Sequence, residues 1–472
     1  MEADIIRYRN LFFSGIGGSG MSAIAQVLSS RGYRISGSDR KRDRGESPAM
    51  FDKLASQGIR LYRQDGSGVN AGLEAVVVSA AVEEDTPDYR RARELGVPLI
   101  KRADLLTELV NRHRGVCFAG TSGKSTATAL CAWVLTELGY SPSFIGGAAA
   151  VNYLGGPTTG NALGGKSELY CVESDESDGS LTGYRPAVGA ILNIERDHHE
   201  LDRLLPIFAV FAGAVRERLI LNADCPNIAR LDLIGVSAPL TRFGIHSGAV
   251  ELKAESIFLN PLGSRFKVGE SALESPLPGQ YNIYNVLAAL AACEALGVER
   301  KEFARLLPEF RGVARRFQVV GRAAGVTVID DFAHNPAKLA AVLSAFEAWK
   351  ELRRKIVVFQ PHGYGPTRFY FNELVETFAG TLKTGDLLIL PEIYYAGGTA
   401  AKDISSRDLA EKISGAGRKA LYFERRADAV PLIAQEAAPG DVVLVAGARD
   451  DSLSDFCREI LAALRKKENP AA

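Results

Sequence analysis

Residues 116–135 read VCFAGTSGKSTATALCAWVL: an apolar strand, a glycine turn, and a helix that opens at Lys124 and Ser125. The turn, Gly120-Thr121-Ser122-Gly123-Lys124-Ser125-Thr126, ends in G-K-S as phosphate-binding loops do. The span between its glycines is shorter than in G-x-x-x-x-G-K-[ST]. In such loops backbone amides cradle phosphates, a lysine neutralises the outer ones, and the next hydroxyl ligates Mg²⁺. Lys124 and Ser125 stand in those two places.

Outward from this loop, strands alternate with helices in three blocks. Upstream, LFFSG from Leu11 is a strand, then a glycine turn, the helix MSAIAQVLSSRG and the strand YRISGSD; AVVVSA and VPLI are further strands around a helix at DYRRARELG. Downstream, ELYCVES, AVGAILNI and RLILNAD are strands of the second block. The third holds VTVIDDF, KIVVFQP, DLLILPE and DVVLVAG, with helices such as KLAAVLSAFEAWKEL between them. This alternation means mostly parallel sheets. The expected fold class is α/β in three domains: Rossmann-like over 1–112, P-loop ATPase-like over 113–316 and Rossmann-like over 317–472. A length of 472 residues suits three domains of about 100–200 each. The Gly/Ser/Asn-rich stretch 145–167 is expected to be a mobile loop.

Lys+Arg and Asp+Glu tie at 56 each, so a general nucleic-acid or membrane-surface binder is not expected. A strongly anionic small ligand held by a few local groups remains open. Apolar content of 46 % suffices for several buried cores. The six cysteines form no CxxC pair and are expected to be buried reduced thiols. MEADIIRYRN has no apolar signal-peptide core, and no apolar run approaches the ~18 residues of a membrane span. A cytoplasmic location is the resulting expectation.

Gly15-Ile16-Gly17-Gly18-Ser19-Gly20 satisfies G-x-G-x-x-G between a strand and a helix, and Asp39 ends the next strand. That pattern means a nucleotide-containing ligand without choosing NAD over another diphosphate. Glu173-Ser174-Asp175-Glu176-Ser177-Asp178 ends a strand, where ligands of a doubly wound sheet bind. Carboxylates beside phosphates imply a cation between them, and oxygen ligands suit Mg²⁺; the competing reading is a solvated acidic loop. Asn193-Ile194-Glu195-Arg196-Asp197-His198-His199 follows the next strand, and His334 and His362 also fall just after strands. His113 and His246 lack that context and read as surface or packing residues.

Taken in order, these pieces resemble the Mur ligases over nearly the whole chain. GIGGSGMSAIAQVL with SGSD, VVSAAVEEDTP with VPLIKRADLLTEL, GTSGKST, ESDESDGS, NIERDHHELD, LNADCPN, YNIYNVLAALAA, ARRFQVVG, IDDFAHNPAK and FQPHGYGPTRF carry the resemblance. It is nearest to the branch that joins L-alanine to the lactyl carboxylate of UDP-N-acetylmuramate, with ATP and Mg²⁺, in peptidoglycan precursor synthesis. The resemblance implies that Lys124 holds the outer phosphates, Ser125 and Glu173 ligate one Mg²⁺, and His198 binds a second. It implies that Asn282 and Asn285 contact adenine, Asp331 the ribose, and Arg316 the phosphates from a domain junction. His334, His362 and Arg368 are implied near the amino acid, and Gly15, Gly17, Gly18, Gly20 and Asp39 around the UDP part. A monomer or weak homodimer is expected. The implied chemistry is transfer of the γ-phosphoryl group to a carboxylate, then attack of a neutral amine on the acyl phosphate.

Some positions depart from the alanine-adding pattern. GTHGKTT reads GTSGKST, H-N-x-x-N reads Tyr281-Asn282-Ile283-Tyr284-Asn285, and DDYGHHP reads DDFAHNP. PHRYSRTR reads Pro361-His362-Gly363-Tyr364-Gly365-Pro366-Thr367-Arg368, which lacks two arginines expected near the amino acid's carboxylate. A different amino acid or peptide donor is therefore the alternative within the class. Outside it, a nicotinamide-dependent oxidoreductase with a P-loop module would leave ESDESD and NIERDHH without a role; a nucleotide-gated binding protein would leave Lys124, Glu173 and His198 without one.

Overall fold

The computed structural model describes residues 5–79, 82–176, 179–196, 200–395 and 401–468. It divides into two compact units: Met1–Phe258 with Arg265–Pro276 and Tyr281–Val313, and Leu259–Ser264 with Leu277–Gln280 and Ala314–Ala472.

The first unit holds two sheets. Asn10–Ser14, Arg34–Ser38, Arg60–Tyr62, Ala75–Val78 and Leu99–Lys101 form a five-stranded parallel sheet in the order third-second-first-fourth-fifth. LFF and AVVV are buried throughout, which is why these runs are continuously apolar rather than alternating. The order reverses at the first strand, so the turn after Ser14 opens at the switch point, where such sheets bind ligands.

At the centre of the second sheet lies Arg114–Ala119, flanked in parallel by Leu169–Glu173 on one side and Val188–Ile191 on the other. Three loops therefore leave the same edge side by side: the glycine loop, the acidic run after Glu173 and the run from Asn193. The sheet reaches ten strands by adding Ser143–Ile145 and Ala162–Leu163 on one side and Arg218–Asn222, Leu240–Gly244, Leu252–Asn260, Gly263–Val268 and Ser271–Ser275 on the other; of these seven the sequence pattern revealed only Arg218–Asn222. The helix Lys124–Glu137 is buried from Ser125 to Leu135, so its apolar residues surround it instead of forming a stripe.

In the second unit Gln318–Ala323 runs antiparallel to Val326–Asp331, followed in parallel by Val442–Ala446, Lys355–Phe359, Leu387–Pro391 and Ala420–Phe423. The C-terminal ends of these parallel strands bring Asp331 to Asn335 and Gln360 to Gly363 to one edge.

Stretch 145–167, expected to be mobile, is instead bonded along its length. Lys53 Nζ donates to the carbonyls of Leu154 and Thr158 at 2.8 and 2.9 Å, and Gln57 donates to that of Pro157. Its small polar residues leave backbone groups free for side chains on and just after the helix Pro48–Ser56, so the composition that suggested flexibility serves docking. All six cysteines are buried and free. Among the described residues no helix is long and apolar enough to cross a membrane.

Candidate functional site

The loop 120–126 is built by backbone geometry that only glycine tolerates. Gly120 has φ +139°, and a Cβ there would lie 3.0 Å from the Asn193 carbonyl; Gly123 has φ +86°, and a Cβ there would meet Asn285 Oδ1 at 2.1 Å. Asn193 clamps the turn, accepting from Thr121 Oγ1 and the Ser122 N–H at 2.8 Å each and donating to the Ser122 carbonyl at 3.0 Å. The sequence assigned Asn193 no role; its signal was its place at the head of NIERDHH, one strand over from the loop.

Lys124 Nζ donates to the Gly120 carbonyl and to Glu176 Oε2, both at 2.7 Å, with Asp175 Oδ1 at 3.5 Å. Burial by itself would push the Lys124 pKa down, but Glu176, Asp175 and Glu173 together outweigh it and hold the ammonium charged. Burial pushes the Glu176 carboxyl up, while Lys124 draws it back. For this pair an ionised contact is the better description, because a 2.7 Å bond to an ammonium favours the carboxylate. The lysine charge is thus neutralised from within the acidic run. Glu176 was quoted as part of that run but not singled out.

Glu173 Oε2 accepts the Gly147 N–H at 2.8 Å. Ser125 and Thr126 are buried in the first turn of the helix, and Asn282 and Asn285 are buried on the helix Gln280–Ala295, with Asn285 Nδ2 donating to Asn282 Oδ1 at 2.9 Å. His198, with Asp197 and His199, lies outside the described residues. Among the described residues no group of three or more His, Cys, Asp or Glu side chains is assembled to hold a metal ion. The donor set still suits a nucleotide with Mg²⁺: a cradle with no room for a Cβ, a charged lysine, and hard oxygens from Ser125 and Glu173.

In the first loop Asp39 turns back on the turn itself. Its Oδ2 accepts the Gly17 N–H and its Oδ1 the Lys41 N–H, both at 2.8 Å, so here the carboxylate shapes the glycine loop. Gly15 has φ +78°. Gly18 immediately precedes the helix Ser19–Ser30, and Gly20 lies in its first turn.

In the second unit, Asp331 accepts the N–H groups of Phe317 at 2.6 Å and Ala333 at 2.7 Å, and the Arg316 guanidinium stacks 4.9 Å from the Phe332 ring centre. Burial pushes the Asp331 carboxyl up to about 6, with Asp330 adding to it, against the pull of Arg316 and the two N–H groups; Arg315 is spent on Asp330. A carboxyl with a folded pKa above its unfolded value of about 4 binds its proton more tightly when folded. Its contribution thus favours the fold below about pH 4 and is lost as pH rises through about 6. Asp331→Asn is expected to flatten that part of a Tm-against-pH profile; a variant profile parallel to the wild type between pH 4 and 7 would contradict the elevated pKa.

His334 and His362 pack edge to face, ring centres 5.1 Å apart, and together with Phe359, Pro361, Pro366, Thr367, Tyr370 and Leu374 line a small cavity. Arg368, expected beside them, does not line it: its guanidinium pairs with Asp403 on the exposed side of the helix Tyr364–Phe369. The contact at the expected place is instead apolar, from Pro366 and Leu374.

Models of the Mur ligase family match three successive stretches: the catalytic domain over 11–114, the middle domain over 118–293 and the glutamate ligase domain over 315–449. A UDP-N-acetylmuramate–L-alanine ligase of Burkholderia ambifaria is 36 % identical over 458 residues, 93 % of this chain and 95 % of its own. One from Acidithiobacillus ferrooxidans is 35 % identical over 461. The crystal structure of a UDP-N-acetylmuramate–alanine ligase from Thermotoga maritima matches with TM-score 0.78 at 25 % identity, covering 97 % of this chain and 99 % of that one. A murein peptide ligase from Psychrobacter arcticus shares the fold at TM-score 0.69 and 20 % identity, over 96 % of this chain and 98 % of that one.

Proposed function

Because this chain belongs to the Mur ligase family, we propose that it is an ATP-dependent ligase joining L-alanine to the lactyl carboxylate of UDP-N-acetylmuramate. One observation carries the reading: a clamped phosphate loop with a charged lysine leaves the same sheet edge as Glu173, in a chain whose full-length relatives carry that activity. The work divides over 1–112 for the UDP-sugar, 113–316 for ATP and 317–472 for the amino acid. The reaction builds peptidoglycan precursors, and both phosphorylated substrates are cytoplasmic metabolites, so the enzyme works there as a monomer or weak homodimer.

The residues act as follows. Backbone amides of 120–126 bind the phosphates, and Lys124 releases its hold on Glu176 to neutralise the outer ones. Asn282, Asn285 and Asp331 hold the nucleoside, and Arg316 meets its phosphates. Ser125, Glu173 and His198 would hold Mg²⁺, which supplies charge neutralisation between the carboxylate and the γ-phosphate. Gly15, Gly17, Gly18 and Gly20 give their backbone to the uridine diphosphate, with Asp39 holding the turn in shape. His334 and His362 face the amine, whose proton must leave before it attacks.

Phosphate release from ATP with UDP-N-acetylmuramate, screened against single amino acids, tests this directly. Turnover with L-alanine above the other donors is expected; turnover independent of any amine would sink the ligase reading. The missing arginines fall at Gly363 and Pro366, and the test is made at Pro366. Gly363 has φ +70°, where an arginine would be strained, whereas Pro366 lines the cavity with His334 and His362. A charge-assisted bond to the alanine carboxylate contributes about 1.5–3 kcal/mol, so Pro366→Arg is expected to lower the KM for alanine about 10- to 100-fold. An unchanged KM would mean that the pocket holds the carboxylate by other groups.

A further inference from the structure

The stretch 146–161 has no part in the reaction above, yet it is bonded at both ends to groups that do. At one end the Gly147 N–H meets Glu173 Oε2, packed so closely that a Cβ on Gly147 would lie 2.9 Å from that oxygen. At the other, buried Asn161 donates from Nδ2 to the Ser19 carbonyl at 2.7 Å and to Ser22 Oγ at 3.1 Å. Both belong to the first turns of the helix that opens at the Gly15–Gly20 loop.

Gln26, two turns along that helix and also buried, completes the join. Its Nε2 donates to Thr159 Oγ1 at 2.7 Å and lies 3.2 Å from Asn161 Oδ1, while its Oε1 accepts the Thr159 N–H at 2.9 Å. The two ends are themselves joined across the stretch: the Gly146 N–H donates to the Asn161 carbonyl and the Ala150 N–H to that of Gly160, both at 2.9 Å. A continuous hydrogen-bonded path thus runs from Ser19 through Asn161 and Gly146 to Gly147 and Glu173. Buried amides with their partners in place hold one geometry, because any other leaves a polar group unpaired away from water.

We propose that Asn161 and Gln26 are positioning residues, which brace Glu173 against the helix of the first glycine loop and so hold the sugar-nucleotide and metal-phosphate parts of the site in register. This rests on the reading of that loop as the UDP site and of Glu173 as a metal ligand. A binder that tightens the first loop must then steady Gly147, far away in sequence.

The probe is UDP alone, which lacks the N-acetylmuramyl group and its lactyl carboxylate that could reach Glu173, added to the full chain without ATP or Mg²⁺. Amide hydrogen exchange at Gly147 is expected to slow several-fold on UDP binding in the wild type and not in Asn161→Ala, although both bind UDP. In phosphate release, Asn161→Ala and Gln26→Ala are each expected to raise the Mg²⁺ half-saturation concentration three- to tenfold, with the KM for ATP within twofold. Combining them adds little, since they serve one network. Asn161→Leu, nearly isosteric and uncharged, removes the Nδ2 donor without opening a cavity and gives the same pattern should the alanine variant not fold. Equal slowing in wild type and variant, or a lower Tm with Mg²⁺ dependence unchanged, overturns the brace. UDP failing to bind the wild type, or Glu173→Gln leaving the Mg²⁺ dependence intact, overturns the underlying site reading instead.

Discussion

Lys124→Met is expected to lower phosphate release by about 10³-fold or more while leaving UDP-N-acetylmuramate affinity within a factor of about two. The first figure follows from removing the ammonium proposed to meet the outer phosphates in a site that works by charge neutralisation. The second follows from the proposal that the sugar nucleotide uses the Gly15–Gly20 loop, which belongs to a different sheet. The substitution also strands Glu176, whose side chain is only 3 % exposed and whose ammonium partner it removes. Breaking such a buried pair costs about 3–5 kcal/mol, enough to lower Tm visibly. Lys124→Met combined with Glu176→Gln separates the two effects: Tm recovers and activity does not. Calorimetric titration with the UDP-sugar checks the other half, and a loss of that affinity in step with activity would contradict separate sites.

Gly123→Ala is the second large effect. A left-handed backbone costs a residue with a Cβ about 1–2 kcal/mol, and here the new methyl would also meet Asn285 Oδ1 at 2.1 Å and Leu192 Cδ2 at 2.9 Å. Asn285 cannot swing aside without breaking its bond to Asn282. The loop must therefore open, and ATP turnover is expected to fall about 10²-fold or more, with a lower Tm, since cradle amides act only in place. Gly18→Ala is the control. Gly18 has φ −64°, and its nearest atom to a Cβ is the Gly15 carbonyl oxygen at 3.5 Å, so its Tm is expected to stay near wild type. Equal Tm losses in the two variants would show that backbone conformation is not what selects glycine at 123.

Both loops were legible in the chain because their signals are local. A strand, a glycine turn and a helix follow within some twenty residues, so the pattern shows before the partners that clamp each turn are known. The same holds for the parallel strands, whose burial on both faces writes unbroken apolar runs such as AVVV and VVLVA. The added strands between 252 and 275 carry no such run; two alternate buried and exposed positions over a few residues, and pairing with neighbours rather than their own pattern defines them.

What the sequence by itself determined, then, is the order of the three α/β blocks and the two glycine turns that open helices, since steric limits on the backbone and the periodicity of burial act over short stretches. The tertiary structure alone decided the partners. It put Lys124 on Glu176, Asn193 on the turn 120–123, Asp39 on Gly17 and Arg368 on Asp403, and it bonded the stretch 145–167, expected to be mobile, to Glu173 and to the helix Ser19–Ser30. A carboxylate or amide takes whichever donor the fold carries within about 3 Å. That choice depends on residues up to about 140 positions away in the chain, as between Ser19 and Asn161, so no local pattern records it.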